Sequence, residues 1–331
     1  MKYPQVTVGI IAKNEEKHIG ETINSILQSD YPPKNYEIVI VDGNSADKTQ
    51  EIVKRLSKSN KNIRLIIEPW KKGTHGKARN LLVENARGKY IAFTDADCIV
   101  ERNWLKVLVT NLEREKKENK QVVAVGGIRY PAKTQKWREN LLNNMMSTFF
   151  GSGGSKGFMK TTKKYVDSIP GYNSIFTKEV LQKERYDDEI GFGEDYEFNM
   201  RLNMKGYKLV FNNEVIIYHN QEDNFSKFFK QMYNYGKGQV QVYKKIRKIR
   251  FFAILSPLFI LGIIIGFFLS LLSPIIMYLY LFILMLYLFI DLIFTLKVLA
   301  KVESVYGLLS FFIYPMQHIS YGLGVLGGLI R

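Results

Sequence analysis

Short apolar, β-rich runs alternate with segments of helical spacing through the first 130 or so residues. Runs at 6–11, 37–41, 63–67, 90–94 and 122–126 read as buried strands. Between them, residues 16–28 place apolar side chains at 19, 23, 26 and 27, one face of a helix. Residues 47–56, with Asp47 as N-cap, residues 77–85 and a segment that includes 104–112 also read as helices. Strand–helix alternation of this kind predicts an α/β fold, a mostly parallel sheet with helices on both faces. In such sheets ligands bind outside the carboxyl ends of the strands.

The pattern changes after residue 250. Residues 251–272 and 275–296 are two apolar runs of spanning length, punctuated by Ser273-Pro274, and predict a helical hairpin in a membrane. A third, weaker run at 306–330 contains Pro315, Gln317, His318 and several glycines; it spans, re-enters or lies in the interface. The opening residues 1–11 are too short and interrupted for a secretory apolar core and read as a first strand, so the front half is expected to stay where it is made. The expected divisions are residues 1–243 as a cytoplasmic catalytic domain, 244–250 as a basic collar and 251–331 as a membrane domain.

Charge sharpens this division. The 331 residues carry a net +16, yet no charged side chain occurs from Phe251 to Ile290. Asp291, Lys297, Lys301, Glu303 and Arg331 leave the tail at +1, so the first 250 residues hold +15. The collar Lys244-Lys245-Ile246-Arg247-Lys248-Ile249-Arg250 precedes the first span, and Lys297 and Lys301 follow the second. Both basic ends are expected on the cytoplasmic side, giving a multi-pass protein of the cell membrane. The collar can also hold anionic headgroups of membrane lipids, at about 1 kcal/mol per residue. No nucleic-acid motif accompanies the charge, so nucleic acid is not an expected partner. The single cysteine, Cys98, excludes an intramolecular disulfide framework and cysteine-based zinc sites.

Candidate chemistry lies after the strands. The first is followed by Lys13-Asn14-Glu15-Glu16, the second by Asp42-Gly43-Asn44-Ser45-Ala46-Asp47. A basic loop running from Trp70 through Lys77 and Arg79 to Asn80 follows the third, and Asp95-Ala96-Asp97 follows the fourth. Two carboxylates at a strand end can hold Mg²⁺ or a similar hard cation together with substrate phosphates. Lys77, Arg79 and the glycine amides of their loop could meet the same phosphates, and Asp42 a base or ribose. The pocket chemistry is that of a nucleoside diphosphate with a metal. Neither a P-loop nor a dinucleotide fingerprint is present.

With these segments in this order the chain resembles a family-2 glycosyltransferase with the GT-A fold. The family commonly shows Asp-Asp-Gly-Ser where this chain has Asp42-Gly43-Asn44-Ser45. The resemblance implies an inverting, metal-dependent transferase that uses Mg²⁺ or Mn²⁺ and a nucleotide-diphosphate sugar. It implies donor contacts at Asn14, Glu15, Asp42, Lys77, Arg79 and Asp95, and a metal held by Asp95 and Asp97, with Asp97 the direct ligand. Glu194-Asp195 matches the acidic pair that ends the acceptor loop; both are implied as catalytic, with Asp195 as general base. Gln231 and Tyr235 match a segment that approaches acceptor and diphosphate in membrane-bound members, although Asn234 and Tyr235 replace the arginine and tryptophan of processive synthases. Residues 314–324 are similar to the ExoA-like subgroup of succinoglycan biosynthesis, and helix packing through their small residues is the simpler account.

The expected activity is transfer of one sugar to a lipid-linked, polyprenyl-type acceptor at the cytoplasmic membrane face, in glycan or polysaccharide biosynthesis. A catalytically degenerate nucleotide- or lipid-binding scaffold is the alternative, and a nucleotidyltransferase fits less well. Other features read as structural. These are the Glu197/Arg201 pair one helical turn apart, His219 after the apolar run 215–218, and the glycine-rich stretch 151–157, a linker or a lid.

Overall fold

The computed structural model describes residues 3–132, 136–220 and 223–330; Met1 and Lys2 of the expected first strand lie outside them. The chain forms two compact units, residues 1–132 with 160–220, and residues 133–159 with 221–331. The second unit thus takes in two stretches, 133–159 and 221–243, that the sequence reading placed in the catalytic domain.

The first unit is built on a nine-stranded sheet. Strands β1 (Val6–Ala12), β2 (Tyr36–Asp42), β3 (Ile63–Ile67) and β4 (Tyr90–Asp95) are parallel, in the order β3-β2-β1-β4. Helices α1 (Ile19–Leu27), α2 (Thr49–Ser59) and α3 (His75–Asn85) make the crossovers. The predicted strands and helices are all present, with ends shifted by a few residues. Asp47 sits one residue before the cap of α2 and accepts hydrogen bonds from the Thr49 amide and hydroxyl.

The rest of the sheet is mixed. It comprises β5 (Cys98–Val100), β6 (Val122–Pro131), β7 (Tyr165–Val166), β8 (Asn173–Thr177) and β9 (Lys208–His219). β8 runs antiparallel to both β4 and β6, β9 lies parallel to β6, and β5 closes the edge antiparallel to β9. Alternate strand residues feed two cores, as the two-residue period requires. Val8, Ile10, Ile38, Ile40 and Ala92 face α1 and α4 (Trp104–Glu118), against Ile23, Ile26, Leu105 and Leu108. Val39, Val41, Ile91 and Phe93 face α3, α7 (Lys178–Glu184) and α8 (Glu194–Met204), against Leu82, Leu181 and Phe198. Each fully buried Val, Leu, Ile or Phe among them contributes roughly 1.5–3 kcal/mol.

The second unit is helical: α5 (Trp137–Met146), α6 (Phe149–Ser152), α9 (Phe225–Ile246), α10 (Phe251–Ser270), α11 (Pro274–Val302) and α12 (Ser310–Leu329). α10 and α11 are long and apolar enough to cross a membrane, and only 17% and 11% of their most apolar windows are buried. They are therefore not buried core helices. They form the predicted hairpin: Ser273 caps α11 with Pro274 at its first turn, Tyr280 donates to the Ile263 carbonyl at 3.2 Å, and Phe259 stacks on Tyr287.

The third run is the helix α12, packed on α9 and α10. Its Gln317 donates to the Gly151 carbonyl at 2.6 Å, and its Tyr314 hydroxyl pairs with Thr148 at 2.8 Å. The stretch read as a linker or lid is instead held here, as α6 and a 3-10 turn at Lys156–Phe158. A Cβ on Gly236 would come within 2.1 Å of the Tyr321 carbonyl oxygen, and one on Gly324 within 2.0 Å of that of Tyr233. The small residues thus let α9 and α12 touch backbone to backbone. Gly324→Ala is expected to force them apart at about 1–3 kcal/mol, seen as a lower melting temperature of the detergent-solubilised protein.

Candidate active site

The parallel strands end level with one another. Ala12 pairs with Asp42, Asp42 with Ile67, and Ile11 with Asp95. The four polar loops predicted from the sequence therefore leave one edge of one sheet.

The first two loops are tied together. Asn14 adopts a positive φ of 59°, its side chain accepts from the Ala46 amide at 2.8 Å, and its amide donates to Ser45 Oγ at 2.8 Å. The Glu15 amide donates to Thr49 Oγ1 at 2.8 Å. Asp42 is fully buried, and its carboxylate accepts from the Ser45 amide at 2.9 Å, the Ser45 hydroxyl at 2.6 Å and Gln50 Nε2 at 2.7 Å. Asp42, expected to meet a base or ribose, here also braces its own loop. Lys77 lies in the first turn of α3, capped by Thr74, with its ammonium 5.8 Å from the centre of the Trp70 ring.

At the end of β4 the two aspartates meet a residue read as structural. β5 pairs with β9 so that Cys98 faces His219, which carries the imidazole to the Asp-x-Asp segment. His219 Nε2 lies 3.6 Å from Asp97 Oδ1 and 3.9 Å from Asp95 Oδ2. Its Nδ1 lies 2.5 Å from the Asn220 carbonyl oxygen, which can only accept, so Nδ1 carries the proton. Burial, helped by the Arg129 charge, holds His219 down at about 3, so the ring is neutral. Its Nε2 lone pair therefore faces two carboxylates.

Burial raises Asp97 to about 6, against the pull of Arg129, and burial with the Asp97 charge raises Asp95. Lone pairs from three groups converge where anions are poorly solvated, and a cation relieves that conflict. Two carboxylates and an imidazole suit a divalent ion such as Mn²⁺ or Mg²⁺. Asp97, Cys98 and His219 offer atoms all within 4.8 Å of one another. Burial pushes the Cys98 thiol well up, however, and keeps it protonated, which leaves the carboxylates and the His219 imidazole as candidate donors.

The acidic pair opens α8, behind Gly193 at a φ of 85°. Its two members face different surroundings. Glu194 is buried, 3.1 Å from Arg79 Nε and 3.6 Å from His75 Nδ1. Desolvation raises its carboxyl, but His75 and Arg79 outweigh that and bring it down to about 2. Such a carboxylate stays ionised and paired. Asp195 is half-buried, and its Oδ2 accepts from the Gly171 amide at 3.1 Å.

Arg79 is 4% exposed, with its guanidinium carbon 4.9 Å from the centre of the Phe93 ring and 5.6 Å from that of Tyr186. Asp95, Glu194 and Asp195 all hold its charge in place against desolvation, so acidic groups a hundred residues apart in sequence share one neighbourhood. Arg201 pairs with Glu197 at 2.7 Å and donates to two carbonyls, the structural part expected of it. Gln231 and Tyr235 lie on α9 in the second unit, where Gln231 donates to the Tyr235 hydroxyl at 3.0 Å.

The family profile described as "Glycosyl transferase family 2" matches residues 7–185. Over 98% of its length the chain is 30% identical to a dolichyl N-acetyl-alpha-D-glucosaminyl phosphate 3-beta-D-2,3-diacetamido-2,3-dideoxy-beta-D-glucuronosyltransferase of Methanococcus voltae, covering 97% of it. It is 28% identical over 72% of its length to glycosyltransferase AglE of Haloferax volcanii, covering 74% of that protein. Among solved structures, a mannosyltransferase of Pyrobaculum calidifontis, determined with GDP-Man and Mn²⁺, superposes with a TM-score of 0.56 at 22% identity. That match covers 75% of this chain and 66% of that one, just under two thirds. The fold is thus GT-A. A sheet whose level strand ends present Asp-x-Asp, joined by the profile over more than half of the chain and by full-length relatedness, makes this chain a glycosyltransferase of family 2.

Proposed function

We propose that the protein is an inverting transferase that moves one sugar from a nucleotide-diphosphate donor to a polyprenyl-type lipid-linked acceptor at the cytoplasmic membrane face. The full-length similarity to an enzyme named for a dolichyl-phosphate-linked sugar acceptor carries this reading. The apolar helices α10 and α11 support it, because an acceptor with a polyprenyl tail resides in a bilayer. So do the basic residues at both ends of the hairpin, by the bias of lysine and arginine to the cytoplasmic side.

In the reaction the acceptor oxygen attacks the anomeric carbon, the bond from that carbon to the diphosphate breaks, and the acceptor proton passes to a base. Asp195 takes the proton: it is the partly accessible member of the acidic pair, whereas Glu194 is consumed by its ion pairs. Asp95, Asp97 and His219 would hold Mg²⁺ or Mn²⁺, which when bound would supply stabilisation of negative charge on the leaving diphosphate. Lys77 stands at the donor side, with the Asn14, Glu15 and Asp42 loops shaping the nucleoside pocket.

A panel of nucleotide sugars is to be offered to the purified protein with membrane lipid extract, with and without Mn²⁺ or Mg²⁺. Products are read by mass and anomeric configuration by NMR. One donor should yield a lipid-soluble glycoside of inverted configuration only with metal. Transfer to water-soluble acceptors alone, or with retention, would overturn the proposal.

A further inference from the structure

The geometry points to Arg79 and Gly171 as positioning residues for the base: the buried Arg79–Glu194 pair fixes the Gly171 peptide, and that peptide aims Asp195. The inference rests on the reading of Asp195 as general base. It departs from the donor-binding role that family resemblance implies for Arg79.

The contacts run from Arg79 through Gly171 to Asp195, whose Oδ1 also accepts from the Tyr196 amide at 2.7 Å. Arg79 Nη1 donates to the Gly171 carbonyl at 3.3 Å, and the Gly171 amide donates to Asp195 Oδ2 at 3.1 Å. Arg79 Nε is taken by Glu194 at 3.1 Å, and Glu194 in turn meets His75 at 3.6 Å. The guanidinium packs by the rings of Phe93 and Tyr186 and is 4% exposed. A planar fork held on so many sides has a single orientation, and so has the carbonyl it grips. It has little surface left for a diphosphate.

Gly171 is required at the junction. A Cβ there would lie 2.8 Å from Arg79 Nη2, 3.0 Å from Asp195 Cβ and 3.2 Å from Asp195 Oδ2. Only glycine lets guanidinium and carboxylate close on one peptide from both sides. A base must meet its proton within hydrogen-bonding distance, and displacing a reacting group by about 1 Å can cost on the order of a hundredfold in rate.

Two variants of the full-length protein test this. Gly171→Ala wedges the junction apart. Arg79→Met combined with Glu194→Met replaces the buried ion pair with apolar side chains of similar length, an exchange that buried pairs often tolerate. For each, kcat and donor KM are measured with the donor that the panel identifies. Affinity and stoichiometry for UDP and GDP with Mn²⁺ are measured by calorimetry, which separates misfolding from misplacement.

The expected result is a kcat about a hundredfold lower, with donor KM, nucleotide affinity and stoichiometry as in the wild type. A nucleotide affinity weakened tenfold or more in the double variant would return Arg79 to the donor site and overturn the inference. Wild-type kcat in Gly171→Ala would overturn it equally, and Gly171→Ala decides alone if the double variant does not fold. Asp195→Asn separates the two levels: if it is fully active, the base reading fails. If it is inactive while both positioning variants keep wild-type kcat, only the present inference fails.

Discussion

Asp195→Asn is expected to lower turnover by about a hundred- to ten-thousandfold, the usual contribution of a positioned general base. Nucleotide-sugar binding should remain that of the wild type. The substitution is nearly isosteric, and the amide oxygen can still accept from the Gly171 amide that now meets Asp195 Oδ2 at 3.1 Å. What it cannot do is take up the acceptor's proton. Single-turnover transfer and calorimetric binding of the nucleotide sugar separate the two effects. Purified Asp195→Asn turning over at the wild-type rate would place the base elsewhere. Glu194→Gln makes the contrast. Its carboxylate, bound by Arg79 and His75, should act on folding and on the orientation of its neighbours rather than as a proton acceptor.

Removal of the divalent ion should abolish transfer, and Asp97→Asn should do nearly the same at any practical Mn²⁺ concentration. Both carboxylates occupy a site where burial disfavours their charge, so they contribute most when a cation is present to take it up. His219→Ala removes the third donor and should weaken Mn²⁺ binding by about 10–100-fold, on the scale of losses for groups that support a metal site. Titration of Mn²⁺ followed by electron paramagnetic resonance reads this directly, with or without a substrate. Mn²⁺ affinity unchanged in His219→Ala would mean that the imidazole is only packed beside the site. Unchanged affinity in Asp97→Asn would remove the metal from Asp-x-Asp altogether.

The parallel half of the fold was legible in the chain because it is written locally. Buried strands such as 37–41 and 63–67 are nearly continuous apolar runs, and the helices between them repeat with a period near 3.6. Parallel strands joined by crossovers also end on one edge, so the grouping of the Asn14, Asp42, Lys77 and Asp95 loops followed from connectivity alone. The apolar helical hairpin was legible for a similar reason: length, absence of charge and the Ser273-Pro274 turn are all properties of contiguous sequence.

Of the mixed half only the start of β6, at 122–126, was legible as a strand. β5 has three residues and β7 two, too few for any period, and the pairing of β5 with β9 depends on register across more than a hundred positions. That register alone sets His219 opposite Cys98 and so beside Asp97. Its sequence signal was slight: a histidine just after an apolar run, at what proves to be a strand end. Burial was equally hidden. Arg79 and Glu194 look like surface charges in a loop and a helix start, yet they pair under a roof of aromatic rings. A carboxylate's work depends on its neighbours, and neighbours are fixed by packing between distant segments. Composition and motif order named the family's chemistry and its candidate groups; only the folded chain divided them into a cluster of Asp95, Asp97 and His219, a half-buried Asp195 and an enclosed Arg79–Glu194 pair.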